Sequence, residues 1–292
     1  MADRRALLVT QARDSIAKGS RSFALASRLF APETRERAWL LYSWCRACDD
    51  IADGQDHGGA LSRVDNPQER LTYLQSMTER ALAGEQKGEP VFDALALVVA
   101  ECRIPHAWPR DLIQGFALDA AEFSPRTEAD LLKYCYHVAG VVGLMMACIM
   151  GVAADDEETL SRANDLGLAF QLANIARDMS EDADAGRCYI PSQWLADQGI
   201  LPGEHMKPQH RPGMAKIAQR MADMAAAYEA SARIGARRLP FRSRWAVLAA
   251  AGIYGDIARE VARRGPAAWD SRVVTSKSAK LGWVARALWQ SL

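Results

Sequence analysis

The sequence has no excess of charge of either sign. Its 292 residues contain 36 Lys and Arg against 36 Asp and Glu, so the formal net charge is zero at neutral pH. A protein that binds nucleic acid over a broad surface carries a basic excess, so we expect no nucleic-acid partner. Glycine and proline, at 20 and 12 residues, are not enriched. The composition therefore excludes collagen-like and low-complexity chains and indicates a folded globular protein.

The start of the chain has no pattern of a secretory signal. Residues 1–15 contain no apolar core followed by a small-residue cleavage site. The six cysteines lie mostly inside apolar runs, as buried free thiols do. Cys45 and Cys48 form a C-x-x-C pair, which could be redox-active or half of a zinc site, but no second pair has ligand spacing. We therefore expect a cytoplasmic protein with free thiols.

No segment shows the alternating pattern of a half-buried strand. Apolar residues recur at helical spacing along the whole chain, and good helix formers fill the segments between clusters of Gly and Pro. No repeat of fixed period appears, and no break is long enough to be a domain linker. We predict an all-α fold in which residues 1–292 form one domain.

Charge is absent altogether between Tyr134 and Ala154. A run of this length could span a bilayer. It also contains two Tyr, a His, two Cys and three Gly, and amphipathic segments flank it, which favours the buried central helix of a large bundle. Gly140 and Gly143 would then allow another helix or an apolar ligand to approach the backbone closely.

Two acidic clusters stand in otherwise apolar helical segments. The first follows an aromatic, apolar run that begins at Trp39, and helical spacing puts Asp49 and Asp53 on one face with Asp50 beside them. The second forms one polar stripe at positions i, i+3, i+7 and i+11, namely Gln171, Asn174, Asp178 and Asp182.

Carboxylates at this spacing repel one another, and a divalent cation between the two clusters would remove that cost. Oxygen ligands without His or Cys suit Mg²⁺. Arg46 and Arg177 lie within a turn of the acids, where they could bind phosphate oxygens, and Lys18–Ser22 could add a second phosphate contact. The alternative is a solvated acidic face, which explains Asp155–Glu158 well but explains poorly the acids that follow an apolar turn. A di-iron bundle would need Glu-x-x-His motifs, which are missing.

Four segments together resemble the squalene and phytoene synthase family, the head-to-head trans-prenyltransferases. They are GSRSF at 19–23, WCRACDDIAD at 44–53, YCYHVAGVVG at 134–143 and QLANIARDMSEDADAGRCYIP at 171–191. The two acidic motifs, the tyrosine-rich middle helix and the R-x-Y-x-P sequence make the match specific, and it covers nearly the whole chain. The motifs are most similar to those of bacterial phytoene-forming members.

The resemblance implies an isoprenoid-synthase helical bundle with a central cavity, and it implies a role for each matching residue. The Mg²⁺ ions, or Mn²⁺ in their place, would be held by Asp49, Asp53, Asp178 and Asp182. The substrate diphosphate would be held by Ser20, Arg21, Arg46, Arg177 and Arg272. The reacting carbons would lie near Tyr134, Gln171, Asn174 and Tyr254. The substrate tunnel would be lined by Phe23, Ser27, Val138 and Gly143. Gly19 departs from the family pattern, since some relatives have a histidine there.

The activity implied is the condensation of two geranylgeranyl diphosphates to phytoene, through a cyclopropyl diphosphate, in carotenoid biosynthesis. No NADPH is expected, because the reaction ends by loss of a proton and the chain has no Gly-rich nucleotide-binding turn. The alternatives are a squalene or dehydrosqualene synthase that uses a fifteen-carbon substrate, and an inactive relative that acts as an assembly factor. Loss of acids would mark an inactive relative, and both motifs are intact.

The C-terminal segment Ser276–Leu292 combines Leu and Trp with two lysines. It could lie on the inner face of a membrane, beside other enzymes of the carotenoid pathway, or it could pack on the bundle.

Overall fold

A computed structural model describes residues 2–19, 21–54, 66–85 and 88–292, with the backbone alone described for residues 2 and 21–23. Within these ranges the chain forms helices and no strand. The α-helices are α1 (Ala2–Gly19), α2 (Arg21–Ser27), α3 (Pro32–Asp53), α4 (Pro67–Leu82), α5 (Pro90–Cys102), α6 (Ala107–Ala120), α7 (Glu128–Cys135), α8 (Val141–Ile149), α9 (Glu157–Asp184), α10 (Ser192–Asp197), α11 (Arg211–Ala236), α12 (Phe241–Arg264) and α13 (Lys277–Ser291). The all-α prediction is confirmed.

Local signals fix where the helices begin and end. Proline occupies the first turn of α3, α4 and α5, where its missing N–H has no helical partner to lose. Thr127 and Asp130 form a reciprocal capping box at the start of α7. The side chain of Asp156 accepts from the Thr159 amide and so caps α9. Gly54 ends α3 in the left-handed conformation that glycine adopts without strain.

Two apolar cores lie on either side of the bundle. One joins α3, α4, α5 and α6 around the fully buried Trp44 and Leu95. The other joins α9, α10 and α11 around Leu172 and Met214. The long helix α9 packs against α8, α11 and α12, and α3 packs against α1 and α5. This arrangement leaves α3 and α9 on facing sides of a central space.

The charge-free segment forms the middle helix of the bundle. A π-helical turn at Tyr136–Gly140 joins α7 to α8. By length and composition, the stretch Glu128–Ile149 is the one helix of the described residues that could cross a membrane, and 56% of its most apolar window is buried inside the protein. A Cβ atom on Gly143 or Gly167 would collide with backbone of the facing helix. The glycines therefore let α8 and α9 pack backbone against backbone, as the buried-helix interpretation predicts.

Candidate active site

A cavity of about 350 Å³ lies between α3, α8, α9 and α12. Each helix contributes one face to its wall, as the recurrence of lining residues at three- and four-residue spacing shows. Most of these residues are Ala, Gly, Val, Leu, Met or Phe, so the wall is apolar. The polar side chains at one end are those of Tyr42, Gln171, Asn174 and Tyr254. Asn174 lies one turn before Asp178 on α9, which places the acidic end of the helix next to this end of the cavity.

The first acidic motif ends α3 beside a half-buried arginine. Arg46 contacts Asp49 at 3.1 Å and Asp50 at 3.3 Å, both on its own helix. Asp49 keeps part of its surface in solvent, yet desolvation raises the pKa of its carboxyl to about 7. Arg46 opposes this rise, and the charges of Asp53 and Asp50 add to it. The motif therefore holds more negative charge than its own arginine balances.

The second acidic motif lies near the end of α9 and is contacted by two arginines from different parts of the chain. Arg177 donates from Nε to Asp178 at 2.7 Å, and Arg272 reaches the same carboxylate at 2.9 Å and Glu181 at 3.2 Å. Asp182, one turn further, makes no ion pair with the described residues. Burial raises the pKa of Asp182 to about 7, and the neighbouring Asp178 and Glu181 act in the same direction. Arg272 is thus brought to this motif from the segment that precedes α13.

A buried carboxylate on α6 links the two motifs. Asp119 accepts hydrogen bonds from Tyr134 at 3.1 Å and from Tyr189 at 2.8 Å, and these two rings stack with centroids 4.7 Å apart. Burial raises the pKa of Asp119 to about 6. Its charge raises the pKa of both Asp49 and Asp182, so it lies close to both motifs.

Arg187 completes this link from the loop after α9. It donates to Asp53 at 2.6 Å, and its positive charge lowers the pKa of Asp119 and of Asp182. Asp119 is not among the residues predicted from the sequence. The signal was an acid within the apolar run FALDAA, and only the tertiary fold brings it to the motifs.

The structure brings most of the predicted residues together. Gln171, Asn174, Tyr254, Val138 and Gly143 all line the cavity. The ring of Tyr254 stacks on Phe170 with centroids 4.2 Å apart. Ser20 lies outside the described residues, as do the side chains of Arg21 and Phe23.

Two predicted positions need correction. Tyr134 does not line the cavity, because its hydroxyl is turned to Asp119 in the link between the motifs. Ser27 does not line it either. It is fully buried behind the wall, where its hydroxyl donates to the carbonyl of Ala24 and accepts from the indole N–H of Trp39. Its helix lines the cavity through Ala26, and Phe30 follows after the helix ends.

The carboxylates fit a divalent cation by chemistry rather than by a preformed cage. In the part of the chain that the structure describes, no three acidic, Cys or His side chains converge on one point. Arginines are interposed instead, at Asp49, Asp53 and Asp178. Desolvation, and to a lesser degree the neighbouring carboxylates, raise the pKa values of Asp49 and Asp182, and hard carboxylate oxygens are the ligands that Mg²⁺ prefers.

The family model for squalene/phytoene synthase matches residues 16–279. The chain belongs to the squalene/phytoene synthase family. Among curated relatives, it is 44% identical over 287 residues to a 15-cis-phytoene synthase of Pantoea ananas, with 98% of this chain and 92% of that one covered. It is 45% identical over 275 residues to a 15-cis-phytoene synthase of a Paracoccus species, with 94% and 89% covered. Family membership confirms the resemblance drawn from the motifs.

Solved structures show the same fold. A dehydrosqualene synthase superposes with a TM-score of 0.86 at 25% identity, with 98% of this chain and 96% of that one covered. A squalene synthase from Alicyclobacillus acidocaldarius superposes with a TM-score of 0.79 at 23% identity, with 91% and 96% covered. The prediction of an isoprenoid-synthase helical bundle is confirmed.

Proposed function

We propose that this prenyltransferase is a 15-cis-phytoene synthase that condenses two geranylgeranyl diphosphates in carotenoid biosynthesis. The observation that carries the proposal is an apolar cavity with arginines and acids gathered beside one end. Such a site suits a substrate with a long hydrocarbon chain and an anionic head. Relatives that bear this name, at 44–45% identity over most of both chains, support the choice.

Mg²⁺ would be held by Asp49 and Asp53 on α3 and by Asp178 and Asp182 on α9, with Mn²⁺ as an alternative. When bound, the metal would neutralise charge on the departing diphosphate.

The chain's own cations would complete the binding of the diphosphate. Arg46, Arg177 and Arg272 already lie among the acids, and each guanidinium can bind phosphate oxygens in a bidentate manner. Ser20 and Arg21 are proposed to bind the same group from the preceding segment.

The apolar wall would keep water from the allylic cation that forms when diphosphate leaves. Tyr254 and Asn174 sit at the boundary between this wall and the charged end, next to where the cation would form. The side-chain dipoles of Tyr254, Asn174 and Gln171 at this boundary could stabilise positive charge.

The experiment that tests the function supplies purified protein with Mg²⁺ and radiolabelled farnesyl or geranylgeranyl diphosphate, each with and without NADPH. The expected result is phytoene from the twenty-carbon substrate at equal rates with and without NADPH. A product formed only from the fifteen-carbon substrate would assign a squalene or dehydrosqualene synthase instead. No hydrocarbon product from either substrate would favour an inactive relative.

We also propose that α13 rests on an anionic membrane surface. The structure divides the apolar residues of this helix into two sets. Trp283 packs on Gly252 of α12 and hydrogen-bonds to Asp256, whereas Leu281, Leu288 and Trp289 are exposed. Lys277 and Arg286 lie on the same helix and would favour anionic lipid. Such a position would bring the enzyme to its lipid-soluble product and to the other enzymes of the pathway.

A further inference from the structure

The cavity extends far from the acidic motifs. One face of α9 lines it continuously from Asn174 back to Thr159, which is about 22 Å of helix. Because α8 runs antiparallel to α9, with Gly143 against Ala163, its Met150 lies at the same far end. A prenyl chain bound with its diphosphate at the acids would therefore point its tail toward the start of α9.

Arg162 stands in the wall at this far end. It is a long cationic side chain in a lining that is otherwise almost wholly apolar. Its neighbours in the lining come from the end of α11 and the turn after it, at Gly235, Ala236 and Leu239. A Cβ atom on Gly235 would approach the Cβ of Arg162 to 2.7 Å, so the stem of the arginine fills the gap between α9 and α11.

The polar contacts of Arg162 are long. Its guanidinium lies 3.6 Å from Glu158, 3.4 Å from the Ser231 hydroxyl and 3.5 Å from the Ser231 carbonyl. Its Nε is buried without a hydrogen-bond partner among the described residues. A surface arginine paired with a glutamate four residues earlier would keep its guanidinium in water, and such pairs contribute little to stability. The ion pair with Glu158 therefore does not explain why Arg162 lies at this position.

We infer that Arg162 forms the floor of the cavity and sets the longest prenyl chain that the enzyme accepts. This inference rests on the proposed function. A chain that fits between the acids and Arg162 meets apolar wall along its whole length. A chain one prenyl unit longer would have to displace the long side chain that closes this end. Shortening the side chain would lengthen the apolar path without touching the charged end.

The test compares the parent with four single variants. Arg162→Ala removes the floor, and Arg162→Met keeps a side chain of similar length without the charge. Glu158→Gln removes the ion pair alone. Gly235→Ala adds a methyl group at the same end of the cavity. Each is assayed with fifteen-, twenty- and twenty-five-carbon prenyl diphosphates, and metal-free binding of the matching prenyl alcohols is measured by calorimetry.

We expect Arg162→Ala to raise the rate ratio of the twenty-five- to the twenty-carbon substrate by about tenfold or more, because several carbons gain apolar contact. The binding ratio of the two alcohols should rise with it. Arg162→Met and Glu158→Gln should keep the parent ratios. Gly235→Ala should shift preference toward the fifteen-carbon substrate.

The inference is overturned if Arg162→Ala is folded, as judged by its melting temperature, and keeps the parent's chain-length ratios. It is also overturned if Arg162→Met changes them as much as Arg162→Ala does, since charge rather than length would then matter. If Arg162→Ala does not fold, Gly235→Ala is the test instead. A shift of its preference toward the fifteen-carbon substrate supports the inference, and unchanged ratios overturn it. If the parent converts only the fifteen-carbon substrate, the proposed function is refuted but the inference about Arg162 is not. The same variants would then be compared with the fifteen-carbon substrate and the next longer chain.

Discussion

At the scale of single residues, the arginines beside the two motifs do not neutralise all of the motifs' carboxylates. Each motif has arginine partners, and Asp119 adds a further negative charge close to both. The result is an arrangement that a bound cation would relieve.

Asp49→Asn and Asp178→Asn are therefore expected to lower turnover more than a hundredfold while the fold remains intact. Each substitution removes a charge that would hold the metal against the leaving diphosphate, and groups of this kind typically contribute factors of about 10² to 10³. Steady-state rates at saturating Mg²⁺ measure the loss. Asp14→Asn, on the exposed face of α1, is the matched control and should leave the rate unchanged. A motif variant with near-parental activity would contradict the two-motif site.

The raised pKa values also make metal binding depend on pH. In the metal-free protein the carboxyls of Asp49 and Asp182 both have a pKa of about 7. A metal binds the ionised form, so Mg²⁺ binding should release protons near pH 6.5 and weaken as the pH falls below 7. Calorimetry in two buffers of different ionisation enthalpy measures the release. Equal apparent enthalpies in both buffers at pH 6.5 would contradict it, and pH 8.5 serves as the control at which little release is expected.

Protonation of the same two carboxyls weakens metal binding but stabilises the fold. Their pKa is higher in the folded protein than in the unfolded chain, where an aspartate titrates near 4. Their contribution to the free energy of unfolding is thus fully present below about pH 4 and is lost as the pH rises to about 7. We expect bound Mg²⁺ to be most stabilising at the upper end of this range, where the carboxylates are ionised.

At the scale of helices, periodicity makes much of the site readable from the sequence. The polar stripe of α9 repeats at helical spacing, and this spacing alone places Gln171 and Asn174 next to Asp178. The charge-free segment at 134–154 marks the central helix for a similar reason.

Contacts between distant helices cannot be read in this way. Asp119 meets Tyr189 across 70 positions of chain, and Arg187 meets Asp53 across 134. No local pattern encodes such pairs. The contact of Tyr134 with Asp119 is hidden for the same reason, since the direction of its side chain depends on a partner that the sequence does not mark. Ser27 was predicted to line the tunnel, but the preceding residue, Ala26, lines the cavity instead.

The close packing of the π-helical turn at Tyr136–Gly140 on α9 gives a prediction at this scale. A methyl group at Gly167 would strike the backbone of Ala139 and Gly140, and backbone cannot move aside cheaply. Gly167→Ala is expected to lower the free energy of unfolding by about 1–3 kcal/mol through overpacking. Gly282→Ala is a matched control, because that helical glycine has open space around its Cβ position. It should raise stability by roughly 0.5–1 kcal/mol.

Urea denaturation of the two variants measures both changes. Equal stability of Gly167→Ala and the parent would show that α9 and the π-helical turn before α8 are not in backbone contact.

At the scale of the whole molecule, an apolar cavity costs stability that a bound ligand can restore. A prenyl alcohol without diphosphate should bind by its chain alone. At 100 times its dissociation constant it would stabilise the fold by about 2.7 kcal/mol, which is a rise of roughly 5 °C in melting temperature for a protein of this size. A thermal shift series with alcohols of increasing chain length measures the effect. Absence of any shift at saturating alcohol would contradict an accessible cavity.

The exposed apolar side chains of α13 predict that the protein binds to lipid vesicles. The protein should co-sediment with vesicles that contain anionic lipid and bind less to neutral ones, with weakening at high salt. Leu288→Ser combined with Trp289→Ser should reduce binding strongly, because both side chains are exposed and would enter the lipid interface. Val274→Ser removes an exposed apolar side chain outside the helix and is the control. Equal binding to anionic and neutral vesicles would count against the proposed surface.

The apolar wall has a consequence for how long the enzyme stays occupied. The substrate arrives with a charged head that water solvates, but the hydrocarbon that remains after both diphosphates depart has no such group. Every contact that shielded the cation continues to hold the finished molecule, and its escape into water is opposed by the hydrophobic effect. In dilute buffer we therefore expect one rapid turnover per molecule followed by slow clearance. A nearby bilayer or detergent micelle would act as the acceptor that empties the cavity and restores the faster rate.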